Sequence, residues 1–353
     1  MDSVTHTLTG AVIAQAIGDE KLGRWGTMAG LAAGFFPDTD FVLGLFDRQF
    51  YVQYHRDFTH SFFLIPIYAF ILSWIFAKVS RRPFLWRYCG ICLPVLVSHV
   101  LLDLFTSYGT MIFSPFFDAR ISWDLVFIFD FIFSGIIVLP LVVSLFWKRT
   151  ASMLCRGSLM VLSVYVLFCW AQHHRALNVA TLFSQTLKEE GLQTAALPQP
   201  FSPFRWANYV ETRENVYQGF VDFFTKGSPS PQHPRAEIGL DHSGFLGRFR
   251  RWKRMEGLYH PASSVRYFSY QKNDGSPWVK RAMATEGSKF YKWFARFPVA
   301  KWVNSNHGIH RVEFTDVRFL VPGVQLPFVY HIEFDDAGRI QSEGFVERRK
   351  KDR

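Results

Sequence analysis

Four apolar runs, at residues 62–77, 88–105, 125–147 and 157–171, constrain this chain more than any other feature. Each is long enough, or nearly so, to cross a hydrocarbon core that needs roughly 20 helical residues. They predict an all-α polytopic membrane domain. Two shorter stretches rich in small residues, Thr7 to Ile17 and Thr27 to Phe36, are separated by the polar turn Gly18–Arg24. They predict a short helical hairpin, re-entrant or packed against the spans, because small residues let helices approach closely. The first stretch has no basic segment before it and no small-residue cleavage signal, so a removable signal peptide is not expected.

The rest of the chain reads differently. After Trp170 a polar helical connector leads to Leu197-Pro198-Gln199-Pro200 and Ser202-Pro203, which read as a rigid linker because proline cannot sustain a helix. Beyond it, Tyr209–Thr212, Val216–Phe220, Val265–Phe268, Arg311–Phe314 and Phe328–Ile332 are aromatic and β-branched with partial alternation, as strands are. Residues 286–297 read as an intervening helix. The expected organisation is a membrane-embedded helical domain over 1–171, a connector and Pro-rich linker over 172–203, and a soluble α+β or mainly β domain over 204–353.

Charge follows the same division. Residues 1–171 hold 12 Lys/Arg against 11 Asp/Glu and the remainder 27 against 18, so nine of the ten net positive charges lie in the second part. Two basic runs stand out there, Arg248–Arg254 and Arg348–Lys351. Such runs suit anionic lipid head groups; nucleic acid is not the expected partner unless the orientation is inverted. All four cysteines, Cys89, Cys92, Cys155 and Cys169, fall in or next to apolar runs. They read as buried packing residues rather than a disulfide framework.

Lys and Arg accumulate in the cytoplasmic connections of membrane proteins. Lys78 to Arg87 contains Arg81 and Arg82, and the later connection carries Lys148, Arg149 and Arg156. Both are expected in the cytoplasm. Residues 46–61, 106–124 and the chain beyond 171 then fall on the periplasmic or extracytoplasmic side.

The polar residues of the first part are not scattered. Ser98-His99-Val100-Leu101-Leu102-Asp103 puts an imidazole and a carboxylate at i and i+4, on one helix face. Phe36-Pro37-Asp38-Thr39-Asp40 offers two carboxylates at the end of a helix; His55-Arg56-Asp57-Phe58-Thr59-His60-Ser61 adds two imidazoles and a guanidinium just before a span. His6 opens the first apolar stretch. Ionisable groups beside lipid are costly and are functional candidates by default. His6, Asp38, Asp40, His55, His60, His99 and Asp103 together are a ligand set for a divalent metal, zinc before manganese or iron.

These same segments, with Met1–His6 and Thr106-Ser107-Tyr108-Gly109, resemble the YdjM family of bacterial inner-membrane proteins, regarded as metal-dependent hydrolases. The resemblance covers about residues 1–170. That family in turn resembles the helical zinc-dependent phospholipase C and P1 nuclease group, with its early His, an Asp, a later His and a His-x-x-x-Asp helix. Two features depart from that group: five residues precede His6 where the enzymes use a terminal amine, and no His falls between His99 and His173 where they carry a His-x-x-x-Glu. Asp118, Asp124 or Asp130 remain as further carboxylates. One or two ions are therefore expected rather than three.

What the resemblance implies is hydrolysis of a phosphoester by metal-activated water, with a lipid or lipid-linked substrate because the site lies at head-group depth; in that mechanism Arg56 pairs with the phosphate and Asp38 or Asp40, if not itself a ligand, accepts the proton of the water. The alternative is non-enzymatic: ion or small-solute transport, or a scaffold held by a structural metal with a tail that binds lipid surfaces. Transport sites commonly sit at internal repeats near the midplane; no repeat is present and the cluster lies near one face.

Overall fold

The computed structural model describes residues 1–189, 193–224, 257–304, 308–320 and 328–346. Both basic runs of the tail, and His307, lie outside the described residues. The chain separates into two compact units, Met1–His174 with Leu197–Pro203 and Arg175–Ala196 with Phe204–Arg353.

The first unit is helical. α1 (Ser3–Ile17) starts where the Asp2 side chain accepts a hydrogen bond from the Thr5 amide at 3.0 Å, and it ends at Gly18, whose left-handed φ of 66° favours glycine. α2 (Arg24–Phe35) packs back along it at very short range. A Cβ built on Gly30 would lie 2.4 Å from the Gly10 carbonyl oxygen, and one on Gly34 would lie 2.6 Å from that of His6. Glycine is required at these positions because two backbones touch. A 3₁₀ segment (Phe36–Leu45), α3 (Arg48–Tyr54) and a 3₁₀ turn (Phe58–His60) lead to α4 (Ile65–Val79), then α5 (Leu85–Leu104), α6 (Phe131–Phe146) and α7 (Ala151–Ser184). Ala14, Ala29, Ala33, Ile65, Tyr88, Ile91, Val95 and Leu96 form one apolar cluster, and Val12, Leu102, Val126, Phe133, Ile137 and Tyr165 belong to another.

Among the described residues two helices are long and apolar enough to cross a membrane, Leu85–Leu104 and Lys148–Ser184. The number becomes three if Arg48–His60 and Ile65–Val79, bent by 76°, form one broken span. That is fewer than the four expected. The run 125–147 yields a helix of only 16 residues, Phe131–Phe146, because Asp130 caps it by accepting from the Phe133 amide at 2.9 Å. The run 157–171 and the polar connector after it form one continuous helix, α7.

Residues 105–130 are not helical but are tied down by backbone hydrogen bonds. Trp123 and Leu125 amides donate to Leu104 and Phe105 at 2.6 and 2.8 Å, Met111 donates to Arg56 at 3.0 Å, and Thr110 pairs with Ile121. This folds the segment over the end of α5. Trp123 and Leu125 thereby use acceptors that a helix end leaves open.

The second unit carries two antiparallel four-stranded sheets, in the orders β1-β2-β3-β4 and β5-β6-β7-β8. The strands are β1 (Gln193–Pro198), β2 (Arg205–Glu211), β3 (Asn215–Asp222), β4 (Tyr267–Gln271), β5 (Pro298–Asn304), β6 (Ile309–Asp316), β7 (Tyr330–Asp335) and β8 (Ile340–Phe345). Two helices, α8 (Pro277–Ala282) and α9 (Glu286–Phe294), lie between β4 and β5. Leu197 and Pro198, expected in a linker, end β1; as an edge strand, β1 tolerates the amide donor that proline lacks. Trp206, Tyr209, Tyr291, Phe297, Phe314 and Tyr330 are fully buried.

Candidate metal centre

The centre is built on α5. His99 and Asp103 stand one turn apart and are both buried. The His99 Nδ1 lies 2.8 Å from the Gly34 carbonyl oxygen. A carbonyl can only accept, so Nδ1 carries the hydrogen and Nε2 of the neutral ring carries a lone pair.

His60 reaches the same point from the 3₁₀ turn. Its Nδ1 is 2.9 Å from Thr59 Oγ1, and the Thr59 hydroxyl donates its one hydrogen to Asp40 Oδ2 at 3.3 Å. Thr59 must therefore accept from His60 Nδ1–H, which leaves the lone pair on His60 Nε2 as well. The two Nε2 atoms are 3.2 Å apart. Asp103 Oδ2 lies 3.0 Å from His60 Nε2 and 3.6 Å from His99 Nε2; Asp38 Oδ1 lies 3.6 Å from His99 Nε2 and 4.0 Å from His60 Nε2. Asp103 Oδ2 and Asp38 Oδ2 are buried without a hydrogen-bond donor.

Two lone pairs and two carboxylates facing one point can be satisfied by a cation between them. Asp38, His60, His99 and Asp103 each offer one atom within 4.8 Å of the others, and all are buried. This donor set fits a divalent metal, and imidazoles anchored through their other nitrogen are the usual mark of metal-ligating histidines.

The remaining sequence candidates surround this group. His6 stacks on His99, with ring centroids 3.7 Å apart, and its Nε2 is 3.0 Å from Asp103 Oδ1 and 2.9 Å from the Met1 amine. The five residues before His6 thus do not carry the amine away from the cluster; it is buried against Asp103. Asp40 stands one layer out and accepts from His55 Nδ1 at 2.9 Å and from the Arg56 amide at 3.0 Å, besides Thr59. His55 stacks on Tyr51 and lies outside the four-residue group. Asp124 accepts from Ser122, and Asp130 caps α6 and accepts from the Tyr165 hydroxyl at 2.7 Å.

Arg56 sits in the left-handed region at φ 62°, which is uncommon for a residue with a side chain. Its Nη2 is 2.7 Å from Asp103 Oδ1 and its Nη1 donates to Thr106 Oγ1 at 3.1 Å. The guanidinium also lies 5.1 Å from the centre of the Tyr108 ring. Burial alone pushes the Asp40 carboxyl up, but hydrogen bonding and charge from His55 hold it below the usual carboxylate range. It remains an acceptor at neutral pH.

Sequence reasoning did not single out Thr59, the Gly34 carbonyl or Thr106 as parts of the site. Thr59 stood inside the His55–Ser61 run and was readable as a neighbour. A backbone carbonyl leaves no mark in sequence.

A Bacillus subtilis (strain 168) protein described as uncharacterized protein YfhP is 31% identical over 144 residues, 38% of this chain and 43% of that protein. The chain thus matches under half of that relative's length. No solved structure matches the chain. Residues 1–176 match the family model described as YdjM inner membrane protein, and through this region the chain belongs to that family of membrane proteins.

Proposed function

We propose that the helical unit is a metal-dependent hydrolase of a phosphoester, with a lipid or lipid-linked substrate and a site related to those of the phospholipase C and P1 nuclease group. The observation that carries this reading is the pair of imidazole lone pairs 3.2 Å apart between two buried carboxylates. His60, His99, Asp38 and Asp103 would hold the ion, with zinc the first choice. A bound divalent ion lowers the pKa of water toward about 7 and offsets charge on phosphoryl oxygens. Asp38 Oδ2 accepts a proton from the attacking water. Asp40 positions rather than reacts, since its oxygens already accept from His55, Arg56 and Thr59. Arg56, held by Asp103 and Thr106, turns its fork to phosphoryl oxygens when substrate displaces part of that pairing. The chain crosses the membrane several times in this reading, and the basic second unit lies in the periplasm against lipid head groups.

A second reading is favoured by one specific feature. Four protein donors that are all buried resemble the closed shell of a structural metal, whereas catalytic sites keep a position open. Full-length protein purified in detergent without added ions separates the two. Its metal content is measured, then the release of phosphate-containing products from lipid extracts, for wild type, His99→Ala and Asp103→Ala. Hydrolysis lost together with metal supports the enzyme; metal without turnover in wild type supports the scaffold. Metal retained in full by both variants overturns the centre itself.

A further inference from the structure

The basic connection between α4 and α5 contains four cations in two different situations. Arg87 Nη1 is 2.7 Å from Asp19 Oδ2, and Arg82 Nη1 donates to the Lys21 carbonyl, so both are engaged with the α1–α2 turn. Among the described residues, Lys78 and Arg81 have no carboxylate partner. Both line a cavity of about 350 Å³ together with Trp74, Ala77, Pro83 and Leu85. No acidic residue lines it.

The cavity's surroundings fix what can enter. It lies at the first turn of α5, one of the two helices long enough to span the membrane, and at the last turn of α4. Trp74 and Trp86 are both exposed there, at 52% and 77%. Exposed tryptophans at helix ends mark the head-group level of a bilayer. The Lys78 ammonium sits 5.7 Å from the centre of the Trp74 ring, which holds one cation on the cavity wall. Arg81 adopts a φ of 54°, a left-handed backbone that is uncommon for a residue with a side chain.

We infer that this cavity is a binding site for the head group of an anionic phospholipid, its phosphodiester between Lys78 and Arg81 and its glycerol edge against Trp74. The charge is complementary: two uncommitted cations, no acid, and an aromatic wall at membrane depth. Basic pockets beside membrane helices commonly take anionic lipid head groups, at about 1 kcal/mol per cation. The site stands apart from the metal centre. Leu85 and Asp103 lie at opposite ends of α5, about 27 Å apart at 1.5 Å per residue.

The test uses full-length protein in detergent, titrated separately with phosphatidylglycerol and phosphatidylcholine, with bound lipid counted by native mass spectrometry. Wild type is expected to hold phosphatidylglycerol in preference. The double variant Lys78→Gln/Arg81→Gln is expected to lose about 30-fold in that affinity, from about fivefold per cation. Lys78→Arg/Arg81→Lys, which keeps the charge, retains most of it, and unchanged metal content shows that the Gln variant is folded. Arg149→Gln removes an exposed cation elsewhere and leaves binding unchanged. Equal affinity for the two lipids, an equal loss in Arg149→Gln, or full binding by the Gln double variant overturns the site. Competition by inorganic phosphate at equal concentration would show that only a free anion is bound, and would overturn it too.

Discussion

Two fully buried aspartates, one in each unit, show what separates a site from a framework. Asp316, at the end of β6, accepts from the Arg296 and Arg318 amides at 2.9 and 3.0 Å and from Arg318 Nε at 2.7 Å. Among the described residues its hydrogen-bond partners all donate, and they stitch the end of α9, β6 and the turn after it together. Asp103, equally buried, spends one oxygen on Arg56, His6 and the Met1 amine and turns the other toward two imidazole lone pairs. Burial is the same; completeness is not. Gln218 in the second unit repeats the closed case, since its amide donates to the Tyr209 hydroxyl and the Val317 carbonyl and accepts from the Tyr270 hydroxyl. Buried polar groups with closed partner lists specify packing, and those with a shared gap specify a ligand.

The sharpest break of this comparison is to remove each aspartate. Asp103→Ala is expected to abolish metal retention, a larger loss than the roughly 10–100-fold that outer-layer changes cost. Metal analysis of the purified full chain reads it. Asp316→Ala, by contrast, leaves metal content unchanged and destabilises the sheet region by about 3–5 kcal/mol, because it removes the buried carboxylate that pairs with Arg318 Nε. Denaturant unfolding of the full chain measures that loss. If Asp316→Ala released the ion, the two units would not be independent in this respect.

A smaller effect tests the outer layer. Thr59→Val removes the acceptor that fixes the His60 tautomer and is expected to weaken metal affinity about tenfold, with Thr59→Ser restoring it. A competition titration with a chelator reports this, and equal affinity of Val and Ser variants would remove Thr59 from the site.

The smallest perturbation is pH. Imidazoles must be neutral to ligate, so metal is expected to be released by acid, at a pH below the ordinary histidine range near 6.5. Asp40, whose carboxyl is held low, binds protons only below the ordinary carboxylate range near 4. Release that begins only below pH 4 would assign the ion to carboxylates alone.

How much of this was legible depended on range. His99 and Asp103 were readable as a pair because helical periodicity alone sets i and i+4 on one face. The approach of His60 and Asp38 to them depends on two 3₁₀ segments and on backbone bonds such as Met111 to Arg56, which no periodicity encodes. In the second unit, β2, β3, β4, β6 and β7 overlap the aromatic and β-branched runs, whereas β1 was hidden by its proline and β8 (Ile-Gln-Ser-Glu-Gly-Phe) by its polarity, being mostly exposed. The apolar run after Phe105 overstated helix length because composition does not register a cap, and Asp130 is one.

The contact between α1 and α2 has a consequence for how such a chain can change over generations. At Gly34 the backbone touches that of His6 and also presents the carbonyl that orients His99. A methyl group there would displace one imidazole and tilt the other's anchor without altering any side chain that meets the ion. The room for sequence drift is therefore narrowest at residues with no side-chain chemistry at all. A saturation library selected for metal retention would expose Gly10, Gly30 and Gly34 as intolerant of every replacement, beside the histidines themselves.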